Sequence, residues 1–448
     1  MKRKQFIQKA GLLAAGTIAA PYLLPTGRLF ARTGAFKADY VVLVMFAGGV
    51  RQQEAVLQRY LDDSQGVNSV GNIMYNLLEG DAPTFKVVYG TTPGGGTDGS
   101  QPIPRILSQS IQKQGTLFKE MRAQSAGHYV GLNTLVTGNS GTSQGLKVRP
   151  RFPTIFEYLR RHNGFKATDT WFIGNGIGNS TPLLNCSKNI DYGLEYGANF
   201  FAPPITFGSY GKDILSNAKV YHPQEELGPM YKMKNFLDNT FKAEKGNLPG
   251  IRNTDDEKTK IKEFIRQTFQ KAENGQIPFP PVSSNGDAFN VGYALEVMQN
   301  FKPRLLVLNM GAVDGCHSNF TGYLQALHRA DHATGHIWNF IKTKMPAEYR
   351  DNCAMIVAPE CGRNLNPNPI QDYNDWYAYD HSDANALRVW GAMVGKGVPQ
   401  NTVVGNEANP IGRLTDITPT IADIFGIKDQ VMNSGYIDGA ARSLFDRI

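Results

Sequence analysis

Cysteine is scarce in this chain: four residues in 448, Cys186, Cys316, Cys353 and Cys361. None forms a CxxC pair or a CxxCH haem-attachment motif, and four thiols in so long a chain make no disulfide scaffold. Cys353 and Cys361 flank an expected strand, and at roughly 3.3 Å rise per residue they lie too far apart to bridge. No run reaches the roughly 20 apolar residues needed to span a bilayer. The stretch TTPGGGTDGSQP (91–102) is rich in glycine but lacks the Lys-Ser/Thr of a phosphate-binding P-loop. No internal repeat is visible. An excess of charge is missing too. The formal +7 comes from residues 1–33, which hold Lys2, Arg3, Lys4, Lys9, Arg28 and Arg32 and no acid, leaving 40 basic against 39 acidic residues in the body. A nucleic-acid partner, which calls for a basic stripe on the folded body, is not expected.

What the first 33 residues do hold is the pattern of an export signal. A cationic start, MKRKQFIQK, precedes the weakly apolar AGLLAAGTIAAPYLLP, which is broken by Pro21. RKQFIQ resembles the twin-arginine export motif, with Lys4 where the second arginine would stand. An ordinary N-terminal helix would carry a similar pattern. The export reading implies a product outside the cytoplasm, periplasmic or at the cell surface, released or tethered by an uncleaved leader. No transmembrane span is expected apart from that leader.

The body reads as α/β. DYVVLVMFAGG (39–49) is a continuous apolar run ending in Gly-Gly, the pattern of a strand buried on both faces. KVVYG (86–90) is a second short strand. PRFPTIFEYLRRHNG (150–164) reads as a helix with Pro153 in its first turn, followed by strand TWFIGNG (170–176). RLLVLNM (304–310), CAMIVAPE (353–360) and LRVWGAMVG (387–395) are further strands, and 321–344 and 416–426 are helices. Strands alternating with helices predict a mostly parallel central sheet with helices on both faces. Residues 183–300, rich in Tyr, Phe, Pro, Gly and Asn, read as an insertion or cap with one charged amphipathic helix over 255–272. The domain plan is therefore a leader (1–33), a core built from 34–182 and 301–448, and the insertion.

Sites in open α/β sheets form at the carboxyl ends of strands, and three of these strands end in chemistry. The first runs into Gly48, Gly49 and Arg51. The strand 304–310 runs into Asp314, Cys316 and His317, and the strand 353–360 into Glu360, Cys361 and Arg363. Asp380 and His381 follow shortly after. Carboxylates and imidazoles on neighbouring loops match the N/O ligand set of zinc or a similar divalent ion. Each residue alone has a plainer reading: Asp314 as a loop cap, His317 and His381 as solvated histidines, Glu360 as a partner of Arg363. His328, His332 and His336 recur along one helix and read as its polar flank.

In this order VVLVMFAGG, NTLVTGNSGTSQG, PTIFEYLRRHNGFKATDTWFIGN, LLVLNMGAVDGCH, AMIVAPECGRN, YDHSDANALRVWGAMVGKGV and RLTDITPTIADIFGI resemble the alkaline phosphatase and sulfatase-like superfamily. The likeness is greatest to an exported bacterial branch with a Glu-x-Gly-Arg signature, here Glu360-Cys361-Gly362-Arg363 with Asn368 beyond, and a later Asp-His. It covers roughly 39–50, 117–175 and 304–427. It implies an alkaline-phosphatase-like fold and metal-dependent hydrolysis of phosphate or sulfate esters. Asp314, His317 and His381 match first-metal ligands, with zinc the expected ion and manganese or calcium the other options. Glu360 is a further ligand or base, and the Gly48 and Gly49 amides with Arg363 would steady the anion. The second metal site is degenerate, because its first-strand aspartate stands as Ala47 or Gly48 and its Asp-His pair as Glu360-Cys361. Ser125 is the nearest serine to the nucleophile position, and His128 falls about where that nucleophile should be. The second expectation is an inactive member of the same fold, binding or assembling with proteins of the cell envelope.

Overall fold

The chain is described by a computed structural model that covers residues 34–61, 69–81, 102–141, 149–174, 183–207, 251–282 and 285–448, with residue 66 and the pairs 22–23 and 29–30 besides. Most of the leader, the expected strand 86–90, the glycine-rich stretch 91–101 and much of the insertion lie outside the described residues.

Eight strands form the central sheet: β1 (Tyr40–Phe46), β2 (Gly115–Arg122), β3 (Thr170–Ile173), β4 (Asn199–Phe201), β5 (Leu305–Met310), β6 (Cys353–Pro359), β7 (Arg388–Gly395) and β8 (Thr402–Val404). Their order across the sheet is β8-β2-β7-β6-β1-β5-β3-β4. The sheet is mostly parallel, as the alternation of strands and helices predicts. β7 alone runs against its neighbours. The connection from β6 to β7, residues 360–387, stays at the carboxyl end of β6, so β7 enters there and must run back.

Alternate residues of the continuous apolar strands divide between two cores, which explains why the runs show no polar interruptions. Val42, Val44 and Phe46 of β1 face one core, and Val41, Leu43 and Met45 face the other. The first is covered by α4 (Gly286–Phe301) and α5 (Phe320–Lys344), through Val291, Leu295, Leu324, Leu327 and Ile337. The second is covered by α1 (His128–Thr137), α2 (Ile155–His162) and α6 (Ile417–Ile424), through Leu132, Leu135, Leu159 and Ile421. Each such side chain, fully buried, contributes roughly 2 kcal/mol of transfer free energy.

Helix starts follow side-chain caps. Thr154 and Glu157 form a capping box at α2, and Thr254 and Glu257 do so at α3 (Asp255–Glu273). Pro153 therefore precedes the cap of α2 rather than sitting in its first turn. Asn319 accepts from the Gly322 amide and starts α5, so the cap of the long helix stands two residues after His317. Within the expected cap 183–300, two parts join the core directly. Asn199–Phe201 pairs in parallel with β3 as the edge strand, and α4 packs its apolar residues under β5. Of the three histidines expected on the polar flank of α5, two are buried instead, His328 fully and His332 nearly so, while His336 is partly exposed. The segments around Ile73 and Ile103 cover that side. His328 Nδ1 lies 2.8 Å from the Ile73 carbonyl, and the Ile103 amide donates to Nε2 at 3.0 Å. All four cysteines are free and buried, and no described helix is long and apolar enough to cross a membrane.

Candidate metal centre

The carboxyl ends of β1, β5 and β6, three adjacent parallel strands, meet the start of α1. β1 ends in Gly48 and Gly49, both with positive φ. Gly48 must lack a side chain, because a Cβ there would run into the Asp314 backbone. β5 passes through Gly311 into a 3-10 turn, Ala312–His317, that carries Asp314 and His317. β6 delivers Glu360, Cys361 and Arg363, and the same loop returns with Asp380 and His381 before β7 begins.

His128, the first residue of α1, stands in the middle of this cluster. Its Nδ1 lies 2.7 Å from Glu360 Oε1 and 3.7 Å from Cys361 Sγ. Its Nε2 lies 3.1 Å from Asp314 Oδ1 and 3.5 Å from His317 Nε2. The His128 and His381 rings are 4.0 Å apart between centroids, and those of His317 and His381 are 4.9 Å apart. One ligand atom from each of His128, His317 and His381 lies within 4.8 Å of the others, and the same holds for His128, Glu360 and Cys361. The expected set thus divides. His317 and His381 share one group with Asp314 alongside, Glu360 belongs to the other, and His128 joins the two.

Carboxylates set the orientation of the rings. Asp380 Oδ1 lies 2.7 Å from His317 Nδ1, which leaves Nε2 facing the cluster. Glu360 is fully buried and takes the amide of Gly48 on Oε1, at 2.5 Å, and of Gly49 on Oε2, at 3.3 Å. These two amides, expected to hold an anion, are therefore spent on Glu360. Backbone geometry explains it, since both follow β1 directly and its neighbour β6 sets the glutamate beside them. Arg363 likewise differs from the expected anion clamp. It is fully buried, donates to the Gly48 and Tyr379 carbonyls, and lies 3.1 Å from Asp314 Oδ1. It fixes three loops rather than facing solvent. Ser125 closes the turn before α1, where its hydroxyl accepts from the Gly127 amide at 3.0 Å. The side chain brought against Glu360 is His128.

Electrostatics follow from this packing. Burial alone would lower the pKa of His128, but hydrogen bonds to Asp314, Cys361 and Glu360 outweigh it and push it up to about 12. Burial would raise the pKa of Asp314. The His128 hydrogen bond and the charges of His128, Arg363 and His317 hold it well below the usual carboxylate range. His381 is lowered to about 4 by burial and by the neighbouring His128, Arg363 and His317. Burial, then Glu360, pushes the Cys361 thiol up to about 11, so Cys361 is a neutral thiol near pH 7.

The donors present fit a divalent cation. Imidazole nitrogens with a carboxylate oxygen form the N/O set that zinc accepts, and two of the imidazoles are backed by carboxylates, as ligating histidines commonly are. His128 is the donor that motif reading passed over as a ligand. Its one sequence signal is its position at the start of a helix after β2, where the resemblance calls for a nucleophile.

No family model matches the chain, and no curated protein matches it. Solved structures do. The chain is similar to the wild-type alkaline phosphatase PafA, with 11% identity over 93% of this chain and 99% of that chain and a TM-score of 0.46. It is similar to a sulfatase from Pseudoalteromonas sp., with 14% identity over 92% and 72% of the two chains and a TM-score of 0.43. A third is a mutant alkaline phosphatase with magnesium bound, at 13% identity over 87% and 98% and a TM-score of 0.39. These neighbours are members of the alkaline phosphatase superfamily, and the identities are too low to carry any residue's role across.

Proposed function

We infer that this protein is a metal-dependent hydrolase of a phosphate or sulfate ester, working with one cation rather than two. The observation that carries the reading is the convergence of His128, His317 and His381 beside Asp314, with Asp380 and Glu360 behind two of the rings. The class of ester follows the motif resemblance. His317, His381, Asp314 and His128 would hold the ion, with zinc favoured by the donor set and manganese or calcium as the other options. When bound, such an ion polarises an ester oxygen and lowers the pKa of water.

The chain's own groups have distinct tasks. Asp380 holds the His317 proton on Nδ1. Glu360 holds His128 with Nε2 toward Asp314 and His317, and the Gly48 and Gly49 amides keep Glu360 in place. Arg363 fixes Asp314 and both carboxyl-end loops. Hydrolysis joins the oxygen of water to phosphorus or sulfur, breaks the bond to the ester oxygen, and releases the alcohol with one proton. The leader supports an exported protein, periplasmic or at the cell surface, released or held by its uncleaved signal.

One observation favours a second reading, a binding or assembly component of the cell envelope. The groups that would steady an anion, the two glycine amides and Arg363, are taken up internally. Metal analysis of the purified protein, with turnover of aryl phosphate and aryl sulfate, separates the two. The hydrolase reading expects about one ion per chain, lost together with turnover in Asp314→Ala/His381→Ala. Folded protein that binds no zinc, manganese or calcium would overturn it.

A further inference from the structure

Nine large apolar side chains are exposed among the described residues, and four of them, Leu365, Ile370, Tyr373 and Tyr377, fall in one stretch of thirteen residues. That stretch belongs to the loop that leaves the cluster at Arg363 and returns to it at Asp380. Scattered exposed apolar residues need no explanation, but a concentrated patch marks a binding surface.

The loop is not a floppy excursion whose side chains happen to face water. Gln371 and Tyr377 pair as an antiparallel bridge, and the Asp372 amide donates to the Trp376 carbonyl at 2.9 Å. Asp372 Oδ2 accepts from the Thr321 amide at 2.6 Å, and the Asn374 side chain donates to Thr321 Oγ1 at 2.8 Å, which pins this small tongue to the start of α5. Trp376 is buried beneath it, near the Phe320 ring. The buried side of the tongue therefore has its own core residue, and the four exposed side chains are held out.

The tongue is also tied by hydrogen bonds to the candidate metal centre. Asn368 donates to the carbonyl of His317 at 3.1 Å, two residues before Ile370. Leu365 is two residues from Arg363, and its amide is held at 2.8 Å by Asp383, two residues beyond His381. Leu365 and Ile370 thus lie beside residues tied to the cluster, and Tyr373 stands at the turn of the tongue. A cation site with exposed aliphatic and aromatic side chains on the adjoining tongue fits a ligand that is anionic at one end and apolar along its length.

We propose that the tongue at 364–379 is the platform for the alcohol part of the substrate, and that this site takes esters of extended apolar alcohols in preference to small polar ones. The proposal rests on the hydrolase reading for turnover but not for binding. The test uses the full metal-loaded protein with two series from methyl to octyl, n-alkyl phosphates for kcat/KM and n-alkyl phosphonates, which cannot be hydrolysed, for Kd. Each methylene that the platform covers is expected to raise kcat/KM and tighten Kd about fourfold until the platform is filled. Ile370→Ser/Tyr373→Ser should flatten both series, with circular dichroism and thermal unfolding checking that the fold is retained. Chain-length dependence in the phosphonate series without turnover of any phosphate or sulfate ester would support the platform and defeat the hydrolase. Turnover or binding indifferent to chain length would overturn the platform and leave the hydrolase standing. A dimer abolished by the same double substitution would also overturn it, because the tongue would then be covered by a second copy.

Discussion

Glu360 Oε1 and His128 Nδ1 lie 2.7 Å apart, although 232 residues separate them in the chain. The contact joins the end of β6 to the first residue of α1 and sets which imidazole nitrogen faces the cluster. Glu360 is in turn fixed by backbone amides at the end of β1. The position of His128 is thus decided by three elements of the sheet-and-helix frame, not by a flexible loop.

Glu360→Gln keeps the shape of that contact and removes its charge. If His128 is a ligand, metal affinity should fall about 10–100-fold, the usual cost of losing a carboxylate behind a ligating histidine. Competition with a chromophoric chelator measures it. An affinity unchanged from wild type would remove His128 from the ligand set.

Arg363→Met should be among the most damaging single changes in the chain. The guanidinium is fully buried, and its removal takes from Asp314 one cationic partner, leaving His128, and takes the Arg363 donor from the carbonyls of Gly48 and Tyr379. Breaking a fully buried charged pair costs about 3–5 kcal/mol, and because the Asp314 side chain is 31% exposed the expected loss falls toward the lower end of that range. The urea midpoint of the metal-free protein reports it.

Much of this architecture is legible in the sequence, because strands buried on both faces must be continuously apolar and the ends of such strands are where sites form. Asp314, His317, Glu360 and His381 attract notice on that ground, each following a strand that can be read directly. The direction of β7 is not legible, because its residues are buried whichever way it runs. The edge strand Asn199–Phe201 is too short and lies in too aromatic a context to stand out. His128 is hardest to find. SAGHYVG carries no ligand spacing, and the partners of His128 lie near residues 314, 317, 360 and 381, so only the assembled sheet brings them to it. The spending of the Gly48 and Gly49 amides on Glu360 is invisible for the same reason.

Glu157 gives the fold a pH dependence away from the metal centre. It is fully buried, and burial raises its pKa to about 7 against the hydrogen bonds it accepts from Ser187 and Thr154. The folded value lies above the unfolded one, near 4.5, so the folded state holds the proton more tightly. The resulting stabilisation is complete below about pH 4.5 and is lost as the pH rises through about 7. Within that window the slope for this one group is at most about 1.4 kcal/mol per pH unit. Urea midpoints at pH 5.5 and 8 in wild type and Glu157→Gln should show the wild type losing more of its stability at pH 8 than the variant does. Equal losses would mean that Glu157 does not titrate in this range.

Gly131 tests whether the start of α1 is held as tightly as the site requires. A glycine inside a helix ordinarily costs about 1 kcal/mol relative to alanine, so Gly131→Ala on an open face would stabilise. Here a Cβ would collide with the carbonyl of Glu360, because the helix backbone presses directly on the backbone of β6's exit. The added Cβ is fixed rigidly to the helix backbone and the carbonyl is main chain, so neither can rotate away. The substitution should therefore destabilise the protein and move α1, with His128 at its first position, away from Glu360. Thermal unfolding and chelator competition on the same variant read the two effects separately. Loss of both stability and metal would tie the packing of α1 to the site, whereas a more stable protein with wild-type metal affinity would show that α1 does not press on Glu360.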